Sequence, residues 1–171
     1  MTPGLIVLFG GPAGAGKTTL AAAWCATRER AVHLQLDDIR SFIVSGLADP
    51  QGGGPEVGQQ YALAVTACCS LARVFATGGY DVAVDDVLEP PAFEACWRPE
   101  LEDLNPEVLI VLPSIQETLR RSVSRQKRVK QELTKLQHAA SQVWPAALCL
   151  DTTGLSVAES LALARSRGLL P

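Results

Sequence analysis

The 171-residue chain has few cysteines, few aromatic residues and no long uninterrupted hydrophobic run. Its five cysteines are odd in number, include the adjacent pair Cys68 and Cys69, and show no Cys-x-x-Cys spacing. Neither a disulfide framework nor a zinc site is therefore indicated. No apolar run approaches the roughly 18 residues of a membrane-spanning helix, and the first residues lack the basic stretch of a signal peptide. These absences predict reduced thiols, no membrane segment and a cytoplasmic protein.

Charge of either sign is also in short supply, with 15 Lys and Arg against 18 Asp and Glu and a net charge of −3. Such a surface does not attract nucleic acid as a whole, so a nucleic-acid partner is not expected. Seven of the basic residues nevertheless fall between Arg120 and Lys135, where the only acid is Glu132. A local basic segment on an acidic chain predicts a small anionic target. The length and the 47% apolar content fit one domain spanning 1–171.

Short apolar runs alternate with helical patterns along the chain. Alternation of this kind predicts an α/β protein whose parallel sheet is covered by helices on both faces. A glycine- and proline-rich stretch at 49–55 is the one strongly loop-like segment. The predicted strands are 5–9, 31–36, 80–84, 108–112 and 146–150, and the predicted helices are 17–28, 38–45, 56–77, 90–101, 114–143 and 156–165.

The most informative motif is Gly-Pro-Ala-Gly-Ala-Gly-Lys-Thr at residues 11–18, a full match to the phosphate-binding P-loop or Walker A pattern. It lies between a predicted strand and a predicted helix, which is the context that the motif requires. Glycines let several backbone N–H groups point at phosphate oxygens, and the helix N-terminus adds its positive end. We expect Lys17 to reach the β- and γ-phosphates and the Thr18 hydroxyl to hold Mg²⁺.

Acidic residues follow the second predicted strand. In a parallel sheet the carboxyl ends of the strands meet in one crevice, so Asp37, placed at the end of that strand, is expected near the γ-phosphate. A carboxylate there can accept the proton of an attacking hydroxyl. Asp38 suits the first turn of the next helix, where it is an N-terminal cap, a substrate contact or an alternative candidate for the base. Arg40, one turn further on, is a candidate to orient the substrate.

Two more groups carry possible chemistry. Asp85 and Asp86 follow the third strand, where a Walker-B-type acid touches Mg²⁺, although either one can also cap the next turn. Arg121, Arg125 and Arg128 are the preferred phosphate-binding cations of the basic segment, because arginine pairs with phosphate bidentately. The alternative is a solvated helix face. His33 and His138 have no partner at metal or nucleophile spacing and are expected to be structural or solvated.

With these residues assembled, the chain resembles the small P-loop kinases that phosphorylate hydroxyls, in particular the chloramphenicol phosphotransferase, zeta-toxin and polynucleotide-kinase group. The resemblance rests on residues 11–18, Asp37-Asp-Ile-Arg40, Val84-Asp-Asp-Val87 and the segment 121–128, taken as a lid within about 118–135. A further stretch, 150–156, is similar to the loop beside adenine in these kinases.

The resemblance implies a P-loop NTPase fold of three layers, with a five-stranded sheet of order 2-3-1-4-5, and an ATP- and Mg²⁺-dependent O-phosphotransferase. By this match Asp37 is the base, Arg40 a substrate ligand, and Arg125 and Arg128 are lid cations. An acceptor pocket is expected to be apolar. The candidate nucleotide-binding residues are Gly11, Pro12, Ala13, Gly14, Ala15, Gly16, Lys17, Thr18, Thr19, Arg121, Thr152 and Thr153. The candidate substrate-binding residues are Asp38, Arg40 and Asp86. The candidate metal ligands are Thr18 and Asp85. Residues that either line an acceptor pocket or belong to the core are Phe42, Tyr61, Val87, Leu88, Phe93 and Trp97.

Other functions stay open at this stage. A polynucleotide 5′-hydroxyl kinase shares the Asp-Asp-x-Arg pattern, but residues 38–100 contain only Arg40, Arg73 and Arg98, too few for a basic groove. Nucleotide kinases and toxin-like sugar-nucleotide kinases are also compatible. A regulatory NTPase switch is a different class, and the chain lacks the Asn-Lys-x-Asp motif of guanine-specific switches. A nucleotide-binding protein without turnover is a further possibility. The acceptor and the oligomeric state are not predicted.

Overall fold

The computed structural model describes residues 2–123 and 129–171 and contains a five-stranded parallel sheet of order β2-β3-β1-β4-β5. This order confirms the predicted P-loop NTPase topology. The strands are β1 (Ile6–Gly10), β2 (Ala31–Gln35), β3 (Asp81–Asp85), β4 (Glu107–Val111) and β5 (Cys149–Leu150). The helices are α1 (Lys17–Cys25), α2 (Leu36–Ser41), α3 (Pro55–Thr77), α4 (Pro90–Ala92), α5 (Arg98–Leu101), α6 (Ile115–Val123), α7 (Gln131–Ser141) and α8 (Val157–Ser166).

Both faces of the sheet are buried, as expected for a parallel sheet between two layers of helices. Successive side chains of β1 point to opposite faces. Ile6 and Leu8 pack in a cluster with α3, whereas Val7 and Phe9 pack in a second cluster with α1 and α8. Every residue of β1 is buried. The central strand therefore fixes the position of the loop that follows it, because neither face of that strand can move without disturbing a packed layer.

Several element boundaries differ from the sequence-based expectation. Strand β2 ends at Gln35 and α2 begins at Leu36, so the strand is one residue shorter than predicted and the helix starts two residues earlier. The predicted helix 90–101 is interrupted by a π-helical turn at Phe93–Trp97. A π-helical turn is rare and has no simple sequence signature. The predicted helix 114–143 contains α6 and α7, with residues 124–128 between them outside the described part of the chain.

All five cysteines are free thiols, in agreement with the sequence analysis. Cys68 and Cys69 are buried in α3, and burial raises the pKa of each thiol to about 12. Both thiols are therefore protonated and unreactive near neutral pH. Among the helices that the structure describes, none combines the length and the hydropathy needed to cross a bilayer.

Candidate functional site

The P-loop connects β1 to α1 at the carboxyl edge of the sheet. Gly16 is the N-terminal cap residue of α1 with φ 101°, a conformation that favours glycine, and no side chain caps the helix. The amide groups of the first turn therefore remain directed at the crevice rather than at a capping oxygen. A helix N-terminus of this kind attracts anions through its backbone N–H groups and its dipole.

Gly14 brings the P-loop into close contact with α6. Its φ is 87°, and a Cβ atom built there would lie 2.5 Å from the backbone oxygen of Thr118 and 3.1 Å from Cβ of Ser122. Both neighbours belong to α6. The loop and α6 thus pack backbone against backbone, which places the start of the basic segment directly beside the predicted phosphate site.

We expect Gly14→Ala to lower stability by about 1–3 kcal/mol, because the added methyl overpacks the contact with α6 and the positive φ penalises a Cβ atom. Urea unfolding measures the stability, and titration with ATP measures a parallel loss of affinity. Gly58→Ala in α3 is the matched control, since nothing lies within 4 Å of its Cβ position. That variant should be as stable as the wild type or gain up to about 1 kcal/mol. Wild-type stability and ATP affinity in Gly14→Ala would contradict the packing argument.

Lys17 and Thr18 lie at the start of α1 and face the end of β3. Lys17 is buried, and its Nζ donates to the backbone oxygen of Pro12 at 3.1 Å. The Thr18 hydroxyl donates to Oδ1 of Asp85 at 3.2 Å. Asp85 is the last residue of β3 and is in register with Phe9 of β1. The structure therefore brings together the two residues that the sequence analysis assigned to the metal.

These two side chains have the chemistry that Mg²⁺ requires. Magnesium prefers oxygen ligands and is held in phosphate sites by one or two protein groups, with phosphates and waters completing the octahedron. A hydroxyl and a carboxylate 3.2 Å apart at the mouth of a P-loop match this pattern. Within residues 2–123 and 129–171 no group of three His, Cys, Asp or Glu side chains could hold a metal by itself. The residues present therefore fit a cation that is bound together with nucleotide phosphates.

A cavity of about 270 Å³ lies beside the P-loop. Its volume is close to the lower end of the range for small-ligand sites, about 300–1,000 Å³. The Arg121 guanidinium crosses one side of it and donates to the backbone oxygens of Ala15 (3.2 Å) and Thr152 (3.2 Å). Apolar walls and polar edges of this kind suit a flat heteroaromatic ring. The cavity is lined by Ala15, Gly16, Thr19, Leu20, Val111, Arg121, Thr152, Leu155, Ser156, Val157 and Ser160.

Arg121 is also held from its own helix, because its Nε donates to Glu117 at 2.7 Å. Hydrogen bonds from Arg120 and Arg121 lower the pKa of Glu117 to about 2. Thr153, predicted to bind the cofactor, does not line the cavity: its hydroxyl accepts from the Ser114 amide and donates to Asp151. Of the two threonines predicted to bind the cofactor, Thr152 lines the cavity and Thr153 does not.

Asp37 and Asp38 both lie in the first turn of α2, and both are exposed. The expectation that Asp37 ends the strand while Asp38 begins the helix is wrong. Two acids at a helix N-terminus are stabilised by the helix dipole, which favours starting the helix at Leu36. Because both carboxylates lie in the same turn, their roles can be distinguished only by the face of α2 on which each one lies. Asp37 lies three residues before Arg40 on the same face, whereas Asp38 precedes Ser41.

Arg40 is buried under the loop that joins α2 to α3. Its exposed fraction is 8%, and its one hydrogen bond within the described residues runs from Nη2 to the Ala48 backbone oxygen at 3.4 Å. Its Nε is buried without a partner in that part of the chain. The Gln60 side chain of α3 stabilises this loop, because its oxygen accepts from the Ala48 amide and its nitrogen donates to the Gly46 oxygen. A buried guanidinium without a carboxylate partner is energetically costly, and an anionic ligand would offset that cost.

Asp86 is held by a chain of hydrogen bonds that reaches into the core. The Tyr61 hydroxyl donates to Asp86 Oδ2 at 2.7 Å, and Trp97 Nε1 donates to the Tyr61 oxygen at 3.0 Å. Burial raises the pKa of the Asp86 carboxyl, and the Tyr61 hydrogen bond partly offsets that rise. Desolvation also raises the pKa of the Tyr61 hydroxyl, with the Asp86 charge adding to it. Asp86 therefore anchors the turn after β3.

Of the six apolar residues predicted to line an acceptor pocket or to belong to the core, three are buried, Tyr61 and Val87 are partly buried, and one is exposed. Leu88, Phe93 and Trp97 are buried members of the core cluster, which agrees with the core alternative for these three. Phe42, by contrast, is 71% exposed in the loop that follows α2. The exposed Phe42 and the buried Arg40 give this side of the molecule both an apolar and a cationic group.

Sequence analysis missed two residues at the site. Nε2 of His33, expected to be structural or solvated, lies 2.6 Å from Oδ2 of Asp85. Gln137 of α7 accepts from the Ala13 amide of the P-loop at 3.1 Å. His138, beside it, is buried and bonds to the Pro113 backbone oxygen, which agrees with a structural role. The predicted lid cations Arg125 and Arg128 lie outside the described residues.

The sheet order, the P-loop at the end of β1 and the acid at the end of β3 together define a P-loop kinase fold. A family model described as an AAA domain, AAA_33, matches residues 6–147. The chain belongs to this family. No curated protein matches the sequence.

Solved structures, two of the following three named as kinases, share this fold at low sequence identity. The Deinococcus radiodurans tunicamycin resistance protein has a TM-score of 0.68 and 17% identity over 96% of each chain. A sugar kinase from Janibacter sp. HTCC2649 has a TM-score of 0.70 and 15% identity over 99% of each chain. Mycobacterium tuberculosis APS kinase CysC, solved with AMPPNP and APS, has a TM-score of 0.65 and 16% identity over 98% of each chain. These similarities show the fold and leave the acceptor open.

Proposed function

We propose that the protein is an ATP-dependent O-phosphotransferase that moves the γ-phosphate to a hydroxyl of a small molecule. The observation that carries this proposal is that the candidate site has two separate halves, one for a nucleotide and one for an acceptor, at the same edge of the sheet. One half is the P-loop with its adjoining cavity. The other half contains the two carboxylates of α2 and the buried Arg40. A regulatory NTPase has no need of the second half, whereas a kinase requires a place for its acceptor.

Each residue of the first half has a role in this proposal. The backbone from Gly11 to Thr19 would cradle the phosphates, and Lys17 would follow the γ-phosphate into the transition state. Arg121 and Thr152 would border the adenine ring. Mg²⁺, when held by Thr18 and Asp85, would neutralise charge on the phosphate oxygens.

The second half would bind and activate the acceptor. Asp37 would accept the proton of the attacking hydroxyl, and Asp38 and Arg40 would contact the substrate. Asp86, held by Tyr61, would shape the floor of this half. Arg125 and Arg128 remain proposals for cations over the transferring phosphoryl group.

A screen for acceptor-dependent ADP formation tests the proposal. The protein is incubated with MgATP and, separately, with antibiotics, sugars, nucleosides and 5′-hydroxyl oligonucleotides. We expect ADP formation well above the acceptor-free rate with at least one small molecule. ADP formation at the same rate with and without every acceptor would instead support an NTPase switch.

A second candidate function is a kinase whose acceptor already carries a phosphate, such as a nucleotide. Arg40 favours it, because it is buried without an acidic partner among the described residues. The other two arginines of residues 38–100 form ion pairs, Arg73 with Asp103 and Arg98 with Glu94. One available cation suits a single phosphate group better than a polynucleotide strand, which requires several.

Arg40→Met tests this candidate. Loss of a charged hydrogen bond costs about 1.5–3 kcal/mol, so the KM of a phosphate-bearing acceptor should rise at least tenfold while the KM of ATP stays unchanged. Arg98→Met serves as the control, since Arg98 is exposed and paired within its own helix turn. An unchanged KM for phosphate-bearing acceptors in Arg40→Met would rule out this second candidate.

A further inference from the structure

His33 lies on the edge strand β2 and reaches across to the last residue of β3. Its Nε2 is 2.6 Å from Oδ2 of Asp85, while Oδ1 of the same carboxylate accepts from the Thr18 hydroxyl at 3.2 Å. In the part of the chain that the structure describes, His33 makes no other side-chain hydrogen bond. The carboxylate is thus held from two sides, by α1 through one oxygen and by β2 through the other.

The chemistry of the pair determines which atom carries the hydrogen. An ionised carboxylate only accepts hydrogen bonds, so His33 Nε2 must be the donor. A carboxylate has about four acceptor positions on its two oxygens, and the bonds from Thr18 and His33 use two of them. The remaining positions stay available to a metal ion or to its bound waters. The side chain of Asp85 is 9% exposed, so few solvent molecules can replace a lost donor.

We propose that His33 is a positioning residue for the magnesium site, and that it holds the Asp85 carboxylate in the orientation that accepts hydrated Mg²⁺. The proposal rests on the nucleotide half of the proposed function. Residues that orient a metal ligand from behind typically change metal affinity 10–100-fold when they are replaced. Without the His33 donor, Asp85 can rotate about its terminal torsion, and Thr18 alone does not fix it.

The experiment measures Mg²⁺-dependent binding of a fluorescent ATP analogue, which is a readout independent of turnover. His33→Phe and His33→Leu remove the donor, whereas His33→Gln places an amide Nε2 donor at a similar distance. We expect the two donorless variants to raise the half-saturating Mg²⁺ concentration by about 10–100-fold. His33→Gln should restore most of the difference. Binding of the analogue without metal should be equal in all variants.

Stability controls separate positioning from folding. His138→Leu removes a histidine hydrogen bond of similar length at a structural position, and it should leave the Mg²⁺ dependence unchanged. Thermal unfolding without metal identifies any variant that fails to fold. Phe keeps a ring in the place of imidazole and Leu does not, so the two donorless variants perturb packing differently. An equal change in Mg²⁺ dependence in both variants is therefore due to the lost donor and not to packing.

The inference is overturned if a folded donorless variant requires the same Mg²⁺ concentration as the wild type, or if His33→Gln is as impaired as His33→Phe. The result differs from a failure of the proposed function. If the proposed function fails, the wild type itself binds no nucleotide in the presence of Mg²⁺. If only the His33 inference fails, wild-type binding and transfer stay intact.

Discussion

Lys17→Ala is expected to abolish phosphoryl transfer while the protein remains folded. Removing one preorganised electrostatic group at a transition state typically costs about 10²–10³ in kcat, and Lys17 is the only lysine of the P-loop. The side chain is buried against the Pro12 carbonyl, so its charge acts in a poorly solvated site. Steady-state ADP formation with a responsive acceptor measures the loss, and circular dichroism during heating measures the fold.

Lys135→Ala is the matched control, because Lys135 is exposed on α7 and pairs with Glu132. It should retain wild-type turnover. Isothermal titration of ATP completes the test. Wild-type ATP affinity together with full activity in Lys17→Ala would overturn the assignment of residues 11–18 as the catalytic phosphate site.

Asp37→Asn is expected to lower turnover by roughly 10²–10⁴, the range attributed to general-base catalysis. The substitution keeps the size of the side chain and removes its ability to take a proton. Because Asp37 is exposed in the first turn of α2, the melting temperature should change little.

Asp38→Asn is the internal control for this prediction. Asp38 is one residue away on the same helix turn but about 100° around the axis, and it is not on the face that carries Arg40. Asn keeps the size of the side chain, its capping ability and an oxygen that can still contact the substrate, so the effect on turnover and stability should be mild. The reverse result, an inactive Asp38→Asn beside a normal Asp37→Asn, would move the proposed base to Asp38.

The sheet and the phosphate loop could be predicted because their signals are local. Residues 11–18 match a motif whose strand-to-helix context is visible in the adjacent residues, and each of the five strands was predicted to within a few positions. The proximity of Thr18 and Asp85 follows from that topology, since Thr18 starts the helix that follows β1 and Asp85 ends the neighbouring parallel strand β3. For this reason the sequence could predict that Thr18 and Asp85 lie close together, while their role as metal ligands stays a prediction.

The features that the sequence did not predict, a helix boundary and several side-chain hydrogen bonds, also have physical explanations. Leu36 continues the alternating pattern of β2, so periodicity extends the strand, but two acids directly after it favour a helix start. His33 occupies a polar position of a strand, and its partner Asp85 is distant in sequence and identified only by the register of β2 against β3. Tyr61 and Trp97 follow helical spacing like their apolar neighbours, so a pattern cannot distinguish their hydrogen bonds from core packing.

Transfer of the γ-phosphoryl group to a hydroxyl is the central claim, and product analysis tests it most directly. The protein is incubated with MgATP and the acceptor that responds in the screen, and the mixture is examined by mass spectrometry and phosphorus NMR. We expect the acceptor to gain one phosphoryl group as a phosphate monoester, in equal amount to the ADP formed, and Lys17→Ala to give neither product. Release of all the γ-phosphate as inorganic phosphate, with the acceptor unchanged, would contradict the account.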